Sequence, residues 1–292
     1  MNLLPMIRPE RESTLKAHGF SRGLAYTEHS PGESGIFRQV RIRDGNSLGP
    51  MSAPGPPTGV RFCRCRMKTG YMSLARHGAG PAADLRALGS QVHPVFMLPP
   101  VAASAFGAVL AVSPRFGGDV AFAPVGLACH LVAVFFGLYT AHLKDGYVDF
   151  HWREEDDDHS LTARGCRLAL AGATVGFVIA LAAVVAVAGP VAGVVTLPGW
   201  VIGYLHAPQF DTNPVAVTGG YPAGVALALV GGFYVQAGTF APAIVGLAAV
   251  FLVALSGVKV VDDTTDVAYD GSIGKRTVAV ALGPRRAREV AF

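Results

Sequence analysis

Charged residues make up only 15% of this 292-residue chain, and it has four cysteines and two tryptophans. Soluble globular domains run near about 25% charged, so an ordinary water-soluble domain is excluded. Four cysteines are too sparse for a disulfide scaffold. Hydrophobic residues reach 51% and mean hydropathy is +0.41, which excludes disorder for the body of the chain. The N-terminus, MNLLPMIRPERES, lacks the apolar core of a secretory signal. The basic pI of about 9.0 does not indicate nucleic acid, because the positive charge is unevenly placed. Residues 1–72 carry 11 Lys/Arg against 5 Asp/Glu, whereas residues 73–292 carry 13 against 15. No nucleic-acid partner is expected.

Residues 1–71 lack any sustained apolar period and hold RPERES, SPGESG and APGPPTG, so this stretch reads as a disordered or spurious N-terminal extension, with Met72 a plausible start. Cys63 and Cys65 form a lone C-x-C, without a second pair at metal spacing. The domain proper is residues 72–292. It divides into apolar spans near 95–114, 120–143, 166–188, 191–207, 219–238 and 240–261. A bilayer core of about 30 Å needs about 20 helical residues, and most spans comply. Runs such as LALAGATVGFVIALAAVVAVAG do not alternate as barrel strands do. The expected fold is all-α, a polytopic transmembrane bundle of about six spans. Arg76 and Arg86, then Lys144 to Arg167, then Lys275 to Arg288 fall on one side of six spans, which the positive-inside rule makes cytoplasmic.

The acidic residues carry the chemistry. Of the 15 in residues 73–292, 11 sit in two segments, Asp145 to Asp158 and Asp262 to Asp270. Asp145 and Asp149 are spaced i, i+4, and Asp262, Asp266 and Asp270 are spaced i, i+4, i+8. At helical period each set shares one face, where like charges repel unless a cation compensates them. Mg²⁺ fits, since it takes oxygen ligands from carboxylates together with substrate phosphates. Lys275 and Arg276, in Gly274-Lys275-Arg276-Thr277, supply donors for the same anion. The tract Glu154–Asp158 reads as solvated, because five consecutive acids cannot share a face. His130 either lines a cavity or packs as a neutral core residue, and Cys129 and Cys166 read as small packing residues. His206, Asp211 and Asn213 either gate the site or are polar turn residues.

D-x₃-D after the second span, then D-x₃-D-x₃-D and GKRTVAVALG after the sixth, resemble the UbiA superfamily of intramembrane prenyltransferases. The resemblance covers about residues 80–290. The first motif departs from the family form N-D-x₂-D-x₃-D, with Ala141 and His142 where Asn and Asp would stand. Tyr204-Leu-His-Ala-Pro-Gln departs from the usual Tyr-Ser-x-Pro-Pro-like loop. The resemblance implies Mg²⁺-dependent transfer of an isoprenoid chain from a polyprenyl diphosphate to a lipophilic acceptor at the cell membrane. Asp145, Asp149, Asp262, Asp266 and Asp270 would be the catalytic and metal residues, and Lys275 and Arg276 would bind the diphosphate. Gly172, Gly176, Gly231 and Gly232 would let helices approach around the prenyl tail. The family has eight or nine spans, so a chain ending at RRAREVAF is expected to be incomplete at its C-terminus and weakly active or inactive. Two alternatives are a CDP-alcohol phosphotransferase-like enzyme and a non-enzymatic membrane carrier. The first needs an Ala-Arg and D-x₃-D after an Asp-Gly, which neither Asp145-Gly146 nor Asp270-Gly271 has. A carrier holds its acids near the bilayer midplane.

Overall fold

The computed structural model describes residues 73–116 and 120–292. The leader expected over residues 1–71, with Cys63 and Cys65, lies outside them. Among the described residues ten α-helices run in order: α1 (Pro81–Gly89), α2 (Pro94–Ala111), α3 (Pro124–His151), α4 (Ala163–Ala188), α5 (Pro190–Leu205), α6 (Pro214–Ala237), α7 (Pro242–Asp262), α8 (Val267–Ser272), α9 (Val278–Leu282) and α10 (Pro284–Val290). Proline opens α1, α2, α3, α5, α6, α7 and α10, where its missing N–H costs no intrahelical bond. Thr162 caps α4 by accepting from Gly165 N at 2.9 Å, and Asn213 caps α6 by accepting from Val215 N at 2.9 Å.

Five of these helices, α2, α3, α4, α6 and α7, are long and apolar enough to cross a membrane. The fourth of the six expected spans is α5, whose 16 residues reach only about 24 Å at 1.5 Å per residue. The chain is therefore an integral membrane bundle of five full-length helices and one short one. Large apolar side chains such as Val95, Val215 and Val253 point outward, as lipid-facing residues do.

Small residues set the packing, with α2 against α6 and α3 against α4 and α5. A Cβ on Gly232 would stand 2.0 Å from Ser104 O, and one on Gly107 would stand 2.0 Å from Leu229 O. The α2–α6 crossing thus needs glycine from both helices. Gly203 meets Gly137 O in the same way, joining α5 to α3. Gly176 faces the Phe136 ring and Gly231 faces His130. Gly172 meets nothing within 4 Å, so its expected packing role is corrected.

The two acidic segments end up close together because of helix length. At 28 residues, α3 extends about 42 Å, so its last two turns pass beyond an apolar core of about 30 Å. Asp145 and Asp149 ride on that projecting end. The last residue of α7 is Asp262, and the chain then turns before α8 begins at Val267.

Candidate active site

That turn breaks the expected helical register. Asp262, Asp266 and Asp270 do not lie on one continuous helix, because α7 stops at Asp262 and α8 begins only after Asp266, which stands at its N-cap position without a side-chain capping bond. Asp262 faces outward and is exposed, whereas Asp263 is buried at 3% relative exposure. The inward set from the second motif is Asp263, Asp266 and Asp270. A strict i, i+4 count selects Asp262, the exposed member of the Asp262-Asp263 pair, and passes over its buried neighbour.

These three carboxylates line a pocket of about 260 Å³ together with Asp145, Asp211, Lys259, Lys275, His206 and Tyr269. The first motif, the second motif and the GKRT segment therefore converge on one space. Five carboxylates face two lysines there. Lys259 forms an ion pair with Asp263 one helical turn on, through Asp263 Oδ1. Asp263 Oδ2 is buried without a hydrogen-bond partner. A buried, undonated carboxylate oxygen in an oxygen-rich cluster is a fitting ligand for a hard divalent cation.

Electrostatics follow the crowding. Burial pushes the Asp263 carboxyl above its ordinary range, against the pull of Lys259. Burial likewise raises Asp270, with Lys275 opposing. Burial would lower the Lys275 ammonium, but the carboxylates of Asp149, Asp211, Asp145 and Glu155 outweigh it and hold the pKa above the usual lysine value. Lys275 is placed by the turn before it: Gly274 has φ +78°, and Lys275 N donates to Asp270 O at 2.9 Å.

Asp149 sits apart from the pocket lining. Its Oδ1 lies 3.5 Å from Arg153 Nη1, and the same guanidinium reaches Asp211 Oδ2 at 2.8 Å and Glu155 Oε1 at 3.5 Å. Glu155 is thus the exception in a tract expected to be solvated; Glu154, Asp156, Asp157 and Asp158 are exposed. Asp158 is exposed yet accepts from Arg76 and His77. Asp211 is 5% exposed and lines the pocket, so it is part of the site rather than a polar turn residue. Arg276 is exposed and outside the lining; its backbone N–H donates to Asp211 O at 2.7 Å and anchors that loop. The pairing of Arg153 with Asp211 joins separate elements and carries no sequence signal, whereas Lys259 and Asp263 are an i, i+4 pair that spacing alone could mark.

Two further features shape the mouth. Lys144 donates to Tyr204 O and to Gln209 Oε1, at 2.8 Å for the latter, tying α3 to the loop after α5. His142, where the first motif lacks its acid, lies 4.7 Å from His93 between ring centroids. An apolar cavity lies deeper in the bundle, lined by Leu138, Phe177, Trp200, Leu227 and His130 among others. His130 is 1% exposed and its Nδ1 lies 2.7 Å from Ser104 Oγ, so it is both hydrogen-bonded and cavity-lining. Leu138 is seven residues before Asp145 on α3, about 10 Å along the helix.

No protein-family model and no curated protein matches the chain. Among solved structures it is similar to a UbiA homolog from Archaeoglobus fulgidus bound to GPP and Mg²⁺, at 18% identity over 72% of each chain with a TM-score of 0.55. It is also similar to a UbiA homolog from that organism bound to DMAPP and Mg²⁺, at 18% identity, the same coverage and a TM-score of 0.50. At that identity the likeness establishes the fold: this chain has the UbiA fold.

Proposed function

We propose that the chain transfers an isoprenoid group from a polyprenyl diphosphate to a lipophilic acceptor, with Mg²⁺, at the cytoplasmic face of the cell membrane. The observation that carries this reading is the convergence of two acidic motifs more than a hundred residues apart on one pocket, together with Lys275. The solved structures of the same fold hold GPP or DMAPP with Mg²⁺, which supports the same substrate class here.

Asp145, Asp263, Asp266 and Asp270 would hold the metal, with Asp149 outside the lining and Asp262 replaced by its inward neighbour. Bound there, Mg²⁺ supplies Lewis-acid stabilisation of the negative charge that grows on the leaving diphosphate. Lys275 and Lys259 add fixed positive charge beside that oxygen-rich group. Departure of diphosphate leaves an allylic cation that water would quench. The apolar cavity around Phe177 and Trp200 measures about 40 Å³, so it would have to widen by side-chain movement to take the isoprenoid chain and exclude water from it. The carboxylates lie at helix ends and not at mid-helix, which separates this reading from a carrier.

The test is incubation of membranes bearing the protein with labelled geranylgeranyl diphosphate, with and without Mg²⁺, followed by separation of the lipids. Label entering a lipid only with Mg²⁺ supports the reading. Absence of any Mg²⁺-dependent consumption of the diphosphate overturns it.

A further inference from the structure

A second cluster of ligating side chains stands apart from the acidic pocket lining, at the connection between α3 and α4. His151 is the last residue of α3, His159 lies in the loop, and Cys166 is in the first turn of α4. Their ligand atoms all lie within 4.8 Å of one another, and Cys166 Sγ is 3.8 Å from His159 Nδ1. His159 and Cys166 are buried, at 7% and 1% exposure.

We propose that His151, His159 and Cys166, with a water as the fourth ligand, form a zinc site that fastens the α3–α4 loop. Imidazole and thiolate suit a borderline-soft ion such as Zn²⁺, whereas Mg²⁺ prefers the oxygen set next door, so the two clusters select different metals. With Zn–N of about 2.0–2.1 Å and Zn–S of about 2.3 Å, tetrahedral geometry sets N···S edges near about 3.5 Å. The 3.8 Å between Cys166 Sγ and His159 Nδ1 needs only a small contraction, while ligand atoms separated by up to 4.8 Å would close by about 1.3 Å through side-chain rotation.

The tautomer of His159 is already set for this role. The Gln91 amide donates to Ser90 Oγ at 3.1 Å, which turns its carbonyl oxygen to His159 Nε2 at 3.0 Å. Nε2 therefore carries the ring proton, and Nδ1, 3.8 Å from Cys166 Sγ, accepts from the Leu161 N–H at 3.1 Å with Leu161 O at 3.2 Å, so a metal would take that lone pair over from the N–H. A ligating histidine that donates its other N–H to a neighbouring acceptor is the usual outer arrangement of zinc sites. Gly146 leaves room for the ring, since a Cβ there would stand 2.6 Å from His159 Nε2. His151 Nε2, now 3.2 Å from Leu161 O, would give its lone pair to the metal with its proton on Nδ1. Cys166 would bind as thiolate, releasing one proton to solvent.

The staple has a structural consequence. The loop it closes carries Arg153 and Glu155, which organise Asp149 and Asp211. It also pairs with the lead-in segment, through Arg76 N to Ser160 O at 2.8 Å and Thr162 N to Leu74 O at 2.9 Å.

The experiment uses the full chain purified in detergent with Cys63→Ser and Cys65→Ser, which removes the leader thiols. After chelation, Co²⁺ titration should bind about one equivalent with a thiolate-to-cobalt charge-transfer band and the intense visible bands of a four-coordinate site, displaced by Zn²⁺. Cys166→Ser and His159→Gln should lose the charge-transfer band or the equivalent while keeping native helicity. Gln91→Ala, which removes no ligand, should weaken zinc binding by about 10- to 100-fold. Asp266→Ala should bind zinc like its parent. A parent protein without the charge-transfer band overturns the site whatever the variants do, as does zinc binding lost in Asp266→Ala but kept in Cys166→Ser.

Discussion

Arg153 Nη2 lies 2.8 Å from Asp211 Oδ2, so one guanidinium just past the end of α3 holds the loop between α5 and α6. The same group faces Asp149 and Glu155, and its side chain is 19% exposed while that of Asp211 is 7% exposed. Burial alone would lower the Arg153 pKa, but the three carboxylates hold it above the usual arginine value.

Removing that cation leaves three crowded carboxylates with Lys275 as their remaining shared cation. Arg153→Ala should cost about 3 kcal/mol, the low end for breaking a buried pair because some solvent reaches the group. Arg153→Lys should recover only part of this, since one ammonium cannot reach three acids as a planar fork does. Unfolding in detergent measures both. The deficit of Arg153→Ala should shrink as pH falls and the orphaned carboxyls protonate; a deficit independent of pH would contradict the pairing.

The second motif gives a paired prediction. Asp263→Asn should lower Mg²⁺-dependent consumption of prenyl diphosphate by about 100-fold, or about 2.7 kcal/mol, while Asp262→Asn should change it little. Likewise Asp266→Ala should abolish turnover and Asp157→Ala should spare it, because Asp157 is exposed outside the pocket. Equal rates within either pair would refute the assignment of the inward set.

The difference between Asp262 and Asp263 shows where sequence reading stops. Apolar spans are legible because lipid tolerates little else, and both acidic segments stand out against a chain so poor in charge. The point at which α7 ends is a tertiary matter, and moving it by one residue changes which carboxylate faces inward. Asp211 is the same kind of case. It looks like one polar residue among several in a loop until α3 delivers Arg153 to it from 58 positions earlier in the chain. The 16-residue α5 corresponds to the shortest apolar span in the sequence, and Pro198 lies inside it.

Burial raises Asp263 and Asp270 above the ordinary carboxylate value of 3.8. Without divalent metal, the folded state then binds more protons than the unfolded chain above that value, so stability should fall as pH rises through the raised range. Mg²⁺ competes with those protons. It should therefore raise the melting temperature more at pH ~7.5 than at pH ~5, with the difference lost in Asp263→Asn. Thermal scans at both pH values with and without Mg²⁺ check the sign.

Helix crossing gives a prediction independent of chemistry. A Cβ on Gly232 would meet Ser104 O at 2.0 Å, and backbone cannot move aside cheaply. Gly232→Ala should destabilise by at least about 1–3 kcal/mol. Gly172→Ala, which meets open space, should be neutral or stabilising by about 0.5–1 kcal/mol. Unfolding of the two variants side by side would expose a wrong α2–α6 packing.

The central claim is that the pocket at the ends of α3 and α7 holds a prenyl diphosphate through Mg²⁺. Calorimetric titration of the purified protein with GPP, in Mg²⁺ and then in chelator, tests it most directly. Saturable binding in Mg²⁺, lost in chelator and lost in Asp266→Ala, is the expected result. Binding that is unchanged by chelator, or equal in Asp266→Ala and the parent chain, would contradict it.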